Sequence, residues 1–104
     1  MSCVRIVNLR NYSLLENEIL FKVDRSSPVG NPYFMTNENE RDKVCDKYEI
    51  YFKENILSTE RDQLGQDYLT EMALAIYDGF SVVLGCWCYP KRCHAETIKS
   101  WLIG

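Results

Sequence analysis

Apolar residues run along this chain in several rhythms, and each rhythm predicts an element. Val4-Arg5-Ile6-Val7-Asn8-Leu9 and Ile19-Leu20-Phe21-Lys22-Val23 are short and rich in β-branched and aromatic residues, as strands are. The polar stretch Asn11 to Asn17 separates them as a turn region. From Glu38 to Ile56 the positions Val44, Tyr48, Tyr51, Phe52 and Ile56 recur at three- and four-residue spacing, which predicts an amphipathic helix. Asn37 with Glu40 three residues on reads as a variant capping box for it. A second helix is expected from Thr59 to Asp78, with Leu64, Tyr68, Met72, Ala75 and Ile76 on one face and Gly79 as its stop. Phe80 to Cys86 is almost continuously apolar, the pattern of a strand buried on both faces, and so belongs in the middle of the sheet. Cys93 to Leu102 predicts a closing helix with Ile98, Trp101 and Leu102 facing inward.

The order β-β-α-α-β-α implies an α/β fold: one domain over residues 1–104, with a small sheet of about three strands and helices packed on it. The last strand is expected parallel to the first through a right-handed crossover. In open α/β sheets ligands bind beyond the carboxyl ends of the strands. Two segments should emerge there. One is the loop around Ser26-Ser27-Pro28-Val29-Gly30-Asn31-Pro32, shaped by two prolines and by a glycine free to take positive φ. The other is the run Gly85-Cys86-Trp87-Cys88-Tyr89-Pro90-Lys91-Arg92-Cys93-His94.

Composition narrows the function classes. With 46% hydrophobic residues in 104, the chain can fill one core without metal or disulfide being obligatory. A net charge of -3 speaks against binding nucleic acid through the overall field. No apolar run reaches the roughly 18 residues of a membrane span, so no membrane insertion is expected. Five cysteines are an odd number and no apolar leader with a cleavage site precedes them, so the expected setting is the reducing cytoplasm. Clustered cysteines in that setting point to catalysis or metal binding rather than to disulfides.

The chemistry concentrates in the late run. If the strand continues through Cys88, its alternation points Cys86 and Cys88 to one face and Trp87 to the other. Cys93 falls at the start of the last helix, where free N–H groups and the macrodipole favour a thiolate, which makes it the candidate nucleophile. His94, the only histidine, is the second candidate catalytic group, although adjacent helical side chains diverge. Lys91 and Arg92 precede the helix, and Arg25 opens the other loop beside Gly30 and Asn31. Together they would hold a small anionic ligand, a phosphate or carboxylate. A zinc site is the rival chemistry, but Cys-x-Cys-x4-Cys-His departs from the usual spacing of structural zinc pairs, and no metal ligands are assigned. Inert buried thiols are the third reading. The aromatics Tyr48, Tyr51, Phe52 and Tyr68 read as core, Asn37 to Lys47 as a solvated helix face, and Arg5 and Arg10 as strand-edge solubility residues.

On these residues the sequence resembles domain of unknown function 4326, a family of bacteria and their phages. The resemblance spans nearly the whole chain. It rests on the opening Val4 to Arg10, on the Arg-x-Ser-Pro-x-Gly-Asn-Pro-aromatic type of loop at Arg25 to Tyr33, and on the closing Gly-Cys-Trp-Cys-x-Pro-x-x-Cys-His at Gly85 to His94. The closing step is also similar to another bacterial family with a strand-Cys-loop-Cys-His-helix arrangement. Two positions depart from the pattern: Asp24 stands for the usual glycine before the arginine, and Ala95 for the glycine after Cys-His. The resemblance assigns no reaction and no cofactor, and the short form with a long acidic helix region suits a phage-like or mobile-element product. The expectation from the residues is a site that binds, and has groups to process, a phosphorylated nucleotide-like molecule. The alternatives are a module acting on a host protein and a zinc-stabilised domain.

Overall fold

The computed structural model describes residues 3–58 and 63–104. In chain order it contains β1 (Val4–Asn8), β2 (Glu18–Lys22), α1 (Arg41–Tyr51), α2 (Gln63–Tyr77), β3 (Ser81–Cys86) and α3 (Ala95–Ile103). A 3-10 turn, Glu38–Glu40, leads into α1, and a π-helical turn, Phe52–Ile56, prolongs it, so the three pieces together span the one helix expected from Glu38 to Ile56. The start expected for α2 at Thr59 lies outside the described residues.

The sheet has the order β1-β3-β2, and both edge strands run parallel to the central one. Every residue of β3 is buried, which is why its apolar run shows no alternation. Strand register places Val4, Ile6, Val82, Leu84, Cys86, Ile19 and Phe21 on one face, and all three helices contribute to the core that covers it.

The opposite face carries Arg5, Val7, Val83, Gly85, Glu18 and Leu20, and residues of the connection between β1 and β2 lie against it. Leu9 leans so closely on Gly85 that a Cβ there would lie 2.4 Å from the Leu9 Cδ2. Arg5 is not the solubility residue expected. Its Nε and Nη2 each donate to the Glu18 carboxylate at 2.8 Å, and Nη2 also donates to the Ser13 carbonyl at 2.7 Å, tying both edge strands to the crossover. The Leu15 N–H donates to the same carboxylate.

These hydrogen bonds, from Arg5 first and Leu15 second, hold the Glu18 carboxyl down at about 2, from an ordinary value of 4.5. A carboxyl whose pKa falls on folding adds stability that is complete above its unfolded value and disappears as pH drops through the folded one. Glu18→Gln is therefore expected to lower the melting temperature at neutral pH and to flatten the decline of melting temperature between about pH 5 and pH 2. Thermal melts across that range, followed by circular dichroism, check this; an unchanged acid limb would contradict it.

Three local expectations are corrected. Asn37 makes no side-chain cap; the Glu40 carboxylate keeps the reciprocal half of the box by facing the Asn37 N–H, and it also accepts the Thr36 N–H at 2.9 Å and its hydroxyl. The buried face of α2 is Gly65, Leu69, Met72 and Ala75, and Leu64 is 72% exposed, because the helix is rotated to bring its small residue against the core. Trp101 lies on the surface, 40% exposed, with its ring against the edge of Phe52, while Ile98 alone of the closing trio is fully buried. Gly79, at φ 96°, ends α2 as expected, since a left-handed residue there costs a glycine nothing. Among the described residues no helix is long and apolar enough to cross a membrane.

Candidate functional site

The strand ends at Cys86, not Cys88, so the alternation that would have set those two thiols side by side never operates. The chain turns away instead. The Asn8 side-chain amide donates to the carbonyls of Trp87 and Tyr89, at 3.2 and 2.9 Å, the Tyr89–Pro90 bond is cis, and Lys91 N–H closes a turn onto the Cys88 carbonyl. This turn carries Cys93 back over the end of β3 until its Sγ stands 3.1 Å from the Cys86 Sγ. All five cysteines are free thiols.

The two thiols sit in unequal surroundings. The sulfurs are within hydrogen-bond reach of each other, the backbone N–H groups of Cys88 and Tyr89 point at the Cys86 sulfur, and the Arg41 charge lies near it. Together these outweigh burial and lower the Cys86 pKa. Cys93 is pushed up, first by its hydrogen bond with Cys86 and then by burial. The surroundings therefore favour negative charge on Cys86 over Cys93. The amides at the start of α3 are occupied as well: Ala95 N–H faces the Cys93 sulfur, and the Glu96 carboxylate accepts the Cys93 N–H at 3.4 Å.

The loop after β2 forms the second wall. Arg25 donates from Nη1 to the Asn31 carbonyl at 2.8 Å and from Nη2 to the Tyr33 carbonyl at 2.9 Å, and its guanidinium lies 4.0 Å over the Phe34 ring. Asn31 is buried and its Oδ1 accepts the Tyr33 N–H. Gly30 is needed for closeness and not for a positive φ: a Cβ there would stand 2.5 Å from the Asp24 carbonyl oxygen and 2.7 Å from the Arg25 Cα. The Asp24 carboxylate accepts the Trp87 indole N–H at 3.0 Å and so joins the two loops. Burial works to raise the Asp24 pKa, but the hydrogen bonds from Ser26 and Trp87 prevail and lower it.

His94 bridges the same two loops from below. Its Nε2–H donates to the Val23 carbonyl, and its ring meets Tyr48 edge-on at 4.9 Å. Burial is the main cause that lowers its pKa, so the imidazole is neutral, with Nδ1 left as its acceptor nitrogen. Tyr48 in turn donates from its hydroxyl to the Val29 carbonyl at 2.6 Å, fixing the proline loop to α1.

Helix α1 supplies the third wall through Arg41, Val44 and Cys45. Arg41 grips the Glu38 carboxylate with two nitrogens, donates from Nη1 to the Arg92 carbonyl at 2.9 Å and reaches the Cys88 thiol. Arg92 points outward to Asp42 and Asp46, at 3.1 and 2.9 Å.

Between these walls, beyond the carboxyl ends of β2 and β3, lies a hollow of about 330 Å³. Of the residues singled out from the sequence, Arg25, Asn31, Cys86, Cys88, Arg92, Cys93 and His94 line it. Lys91 does not; its Nζ stands 3.3 Å from Glu38 on the outer surface. Gly30 lies within the proline loop and permits the tight path of its backbone. Arg41 went unnoticed in the sequence, because a charged residue opening an amphipathic helix looks like any solvated one. Asp24, Ser26, Tyr33, Met35 and Trp87 complete the lining. Among the described residues no group of three or more His, Cys, Asp or Glu side chains is arranged to hold a metal ion; His94 commits Nε2 to a carbonyl.

The model of the family described as Domain of unknown function (DUF4326) matches residues 7–104. No curated protein and no solved structure matches the chain.

Proposed function

The chain belongs to the DUF4326 family, whose description names no activity, and from that premise we propose that the hollow binds a phosphorylated, nucleotide-like small molecule. The observation that carries this reading is Arg25. Among the described residues it is the one guanidinium lining the hollow with no carboxylate partner, since Arg41 is neutralised by Glu38 and Arg92 by Asp42 and Asp46. Its fork is held open by two backbone carbonyls and an aromatic face, so the charge is positioned before any ligand arrives. The anion is assigned to Arg25 and the Asn31 amide rather than to the start of α3, where the thiol pair and Glu96 already occupy the amides.

Tyr33 and the exposed Trp87 offer flat faces for a ring above a floor of sulfur, imidazole and methionine. Small-molecule pockets run from roughly 300 to 1,000 Å³. A hollow at the lower end of that range suits one nucleotide or sugar phosphate and not a dinucleotide. Cys86, Cys93 and His94 stand at the floor, where they would meet the ligand's reacting end.

The test is a thermal-shift panel on the reduced protein with nucleoside mono- and diphosphates, sugar phosphates and inorganic phosphate. A ligand present at 100 times its Kd stabilises by about 2.7 kcal/mol, which in a chain of this size raises the melting temperature by roughly 10 °C. The same compound is expected to slow alkylation of Cys88, the half-buried thiol of the hollow, and to leave the exposed Cys3 unprotected. A panel in which no compound moves the melt or protects Cys88 ends the proposal.

A further inference from the structure

Beyond ligand binding, and independently of it, we infer that Cys86 and Cys93 form a hydroperoxide-sensitive dithiol that closes reversibly to a disulfide at the floor of the hollow. The geometry is that of a pair made to join. The sulfurs are 3.1 Å apart, about 1 Å longer than the S–S bond of about 2.05 Å, so side-chain rotation closes the gap. Cys86 ends β3 and Cys93 stands two residues before α3, so each sulfur is carried by a segment tied to the fold.

The roles within the pair follow from their surroundings. The amides of Cys88 and Tyr89 and the guanidinium of Arg41 favour a thiolate on Cys86, which is the attacking group. Cys93, 3.1 Å away, resolves. The Cys86 thiolate displaces hydroxide from the hydroperoxide O–O bond, giving a sulfenic acid and, with hydrogen peroxide, one hydroxide ion. The Cys93 thiol then displaces the sulfenic oxygen as water, forming the S–S bond. Two electrons pass from the two sulfurs to the peroxide, and a dithiol reductant returns them. Cys86 and Cys93 are 1% and 4% exposed and both line the hollow, so a small oxidant such as a peroxide is the fitting partner. Cys88, in the same hollow, faces Arg41 and is not the resolving thiol.

The experiment treats the reduced full chain with substoichiometric hydrogen peroxide, without any nucleotide, quenches with an alkylating agent and maps tryptic peptides. Cleavage after Lys91 and Arg92 separates Cys93 from the peptide that carries both Cys86 and Cys88, so a bridge appears as a cross-link two hydrogens lighter, and fragmentation of that peptide shows which of its two cysteines is joined. The Cys86–Cys93 link is expected to form at least ten times faster than Cys3 is oxidised, and to reopen with a dithiol. In Cys93→Ser, Cys86 is expected to persist as a sulfenic acid trapped by a dimedone reagent; should that variant fail to fold, the wild-type map decides alone. Cys86 and Cys93 still alkylatable after Cys3 has reacted, or a bridge made instead through Cys88 or between chains, overturns the inference. The thermal-shift panel on reduced protein is read separately, so either proposal stands or falls without the other.

Discussion

Tyr48→Ala is expected to remove about 3–5 kcal/mol of folding stability, the range for deleting a buried aromatic ring. Tyr48 is wholly buried, and its ring packs against Phe52 at 6.0 Å and His94 at 4.9 Å. Its truncation leaves a void between α1 and the site and also orphans the Val29 carbonyl that accepts its hydroxyl. Tyr48→Phe separates the two contributions: only the hydrogen bond is lost, at about 1–3 kcal/mol for a buried acceptor left unpaired. Urea unfolding of both variants measures the difference. An alanine variant weakened by less than about 1 kcal/mol would mean that the ring does not bolt the proline loop to the helix, since a well-packed ring of this kind costs several times more to delete.

Arg25→Ala is expected to weaken binding of whichever phosphorylated ligand the panel identifies by ten- to a hundredfold, because one hydrogen bond to a charged group contributes about 1.5–3 kcal/mol. The guanidinium is exposed, so the melting temperature of the free protein should fall by far less than the affinity does. Arg25→Lys keeps the charge without the fork that spans the Asn31 and Tyr33 carbonyls, and an intermediate affinity is expected. Calorimetric titration of the three proteins settles the order. Equal affinities would remove Arg25 from the site and with it the observation on which the ligand reading rests.

The elements were legible where one rhythm dominated. The almost continuously apolar stretch ending at Cys86 declared a central strand because it is short and β-branched, and the three-and-four spacing from Val44 to Ile56 declared a helix. What stayed hidden depended on partners distant in sequence. Arg5 looks like an edge charge until its carboxylate, thirteen positions on, is brought across β3. The neighbour of Cys86 depended on where the strand stops, and that is decided by Asn8 catching the Trp87 and Tyr89 carbonyls from the adjacent strand. The proline loop and the cysteine run were legible as one neighbourhood because strand ends in an α/β sheet converge. Arg41 was not, since nothing local distinguishes a helix charge that turns inward from one that faces water.

The position of β3 has a consequence for how the chain reaches this state. The strand that both outer strands hydrogen-bond to is the last of the three to be synthesised, so until residues 81–86 exist, β1 and β2 have no neighbour and their backbone amides are satisfied by water. Each pairing then joins segments some sixty to eighty positions apart, a topology that slows folding because long loops must close before any contact rewards them. Assembly of the sheet and assembly of the sulfur floor are thus a single late event: the strand that completes the first ends on the cysteine that begins the second.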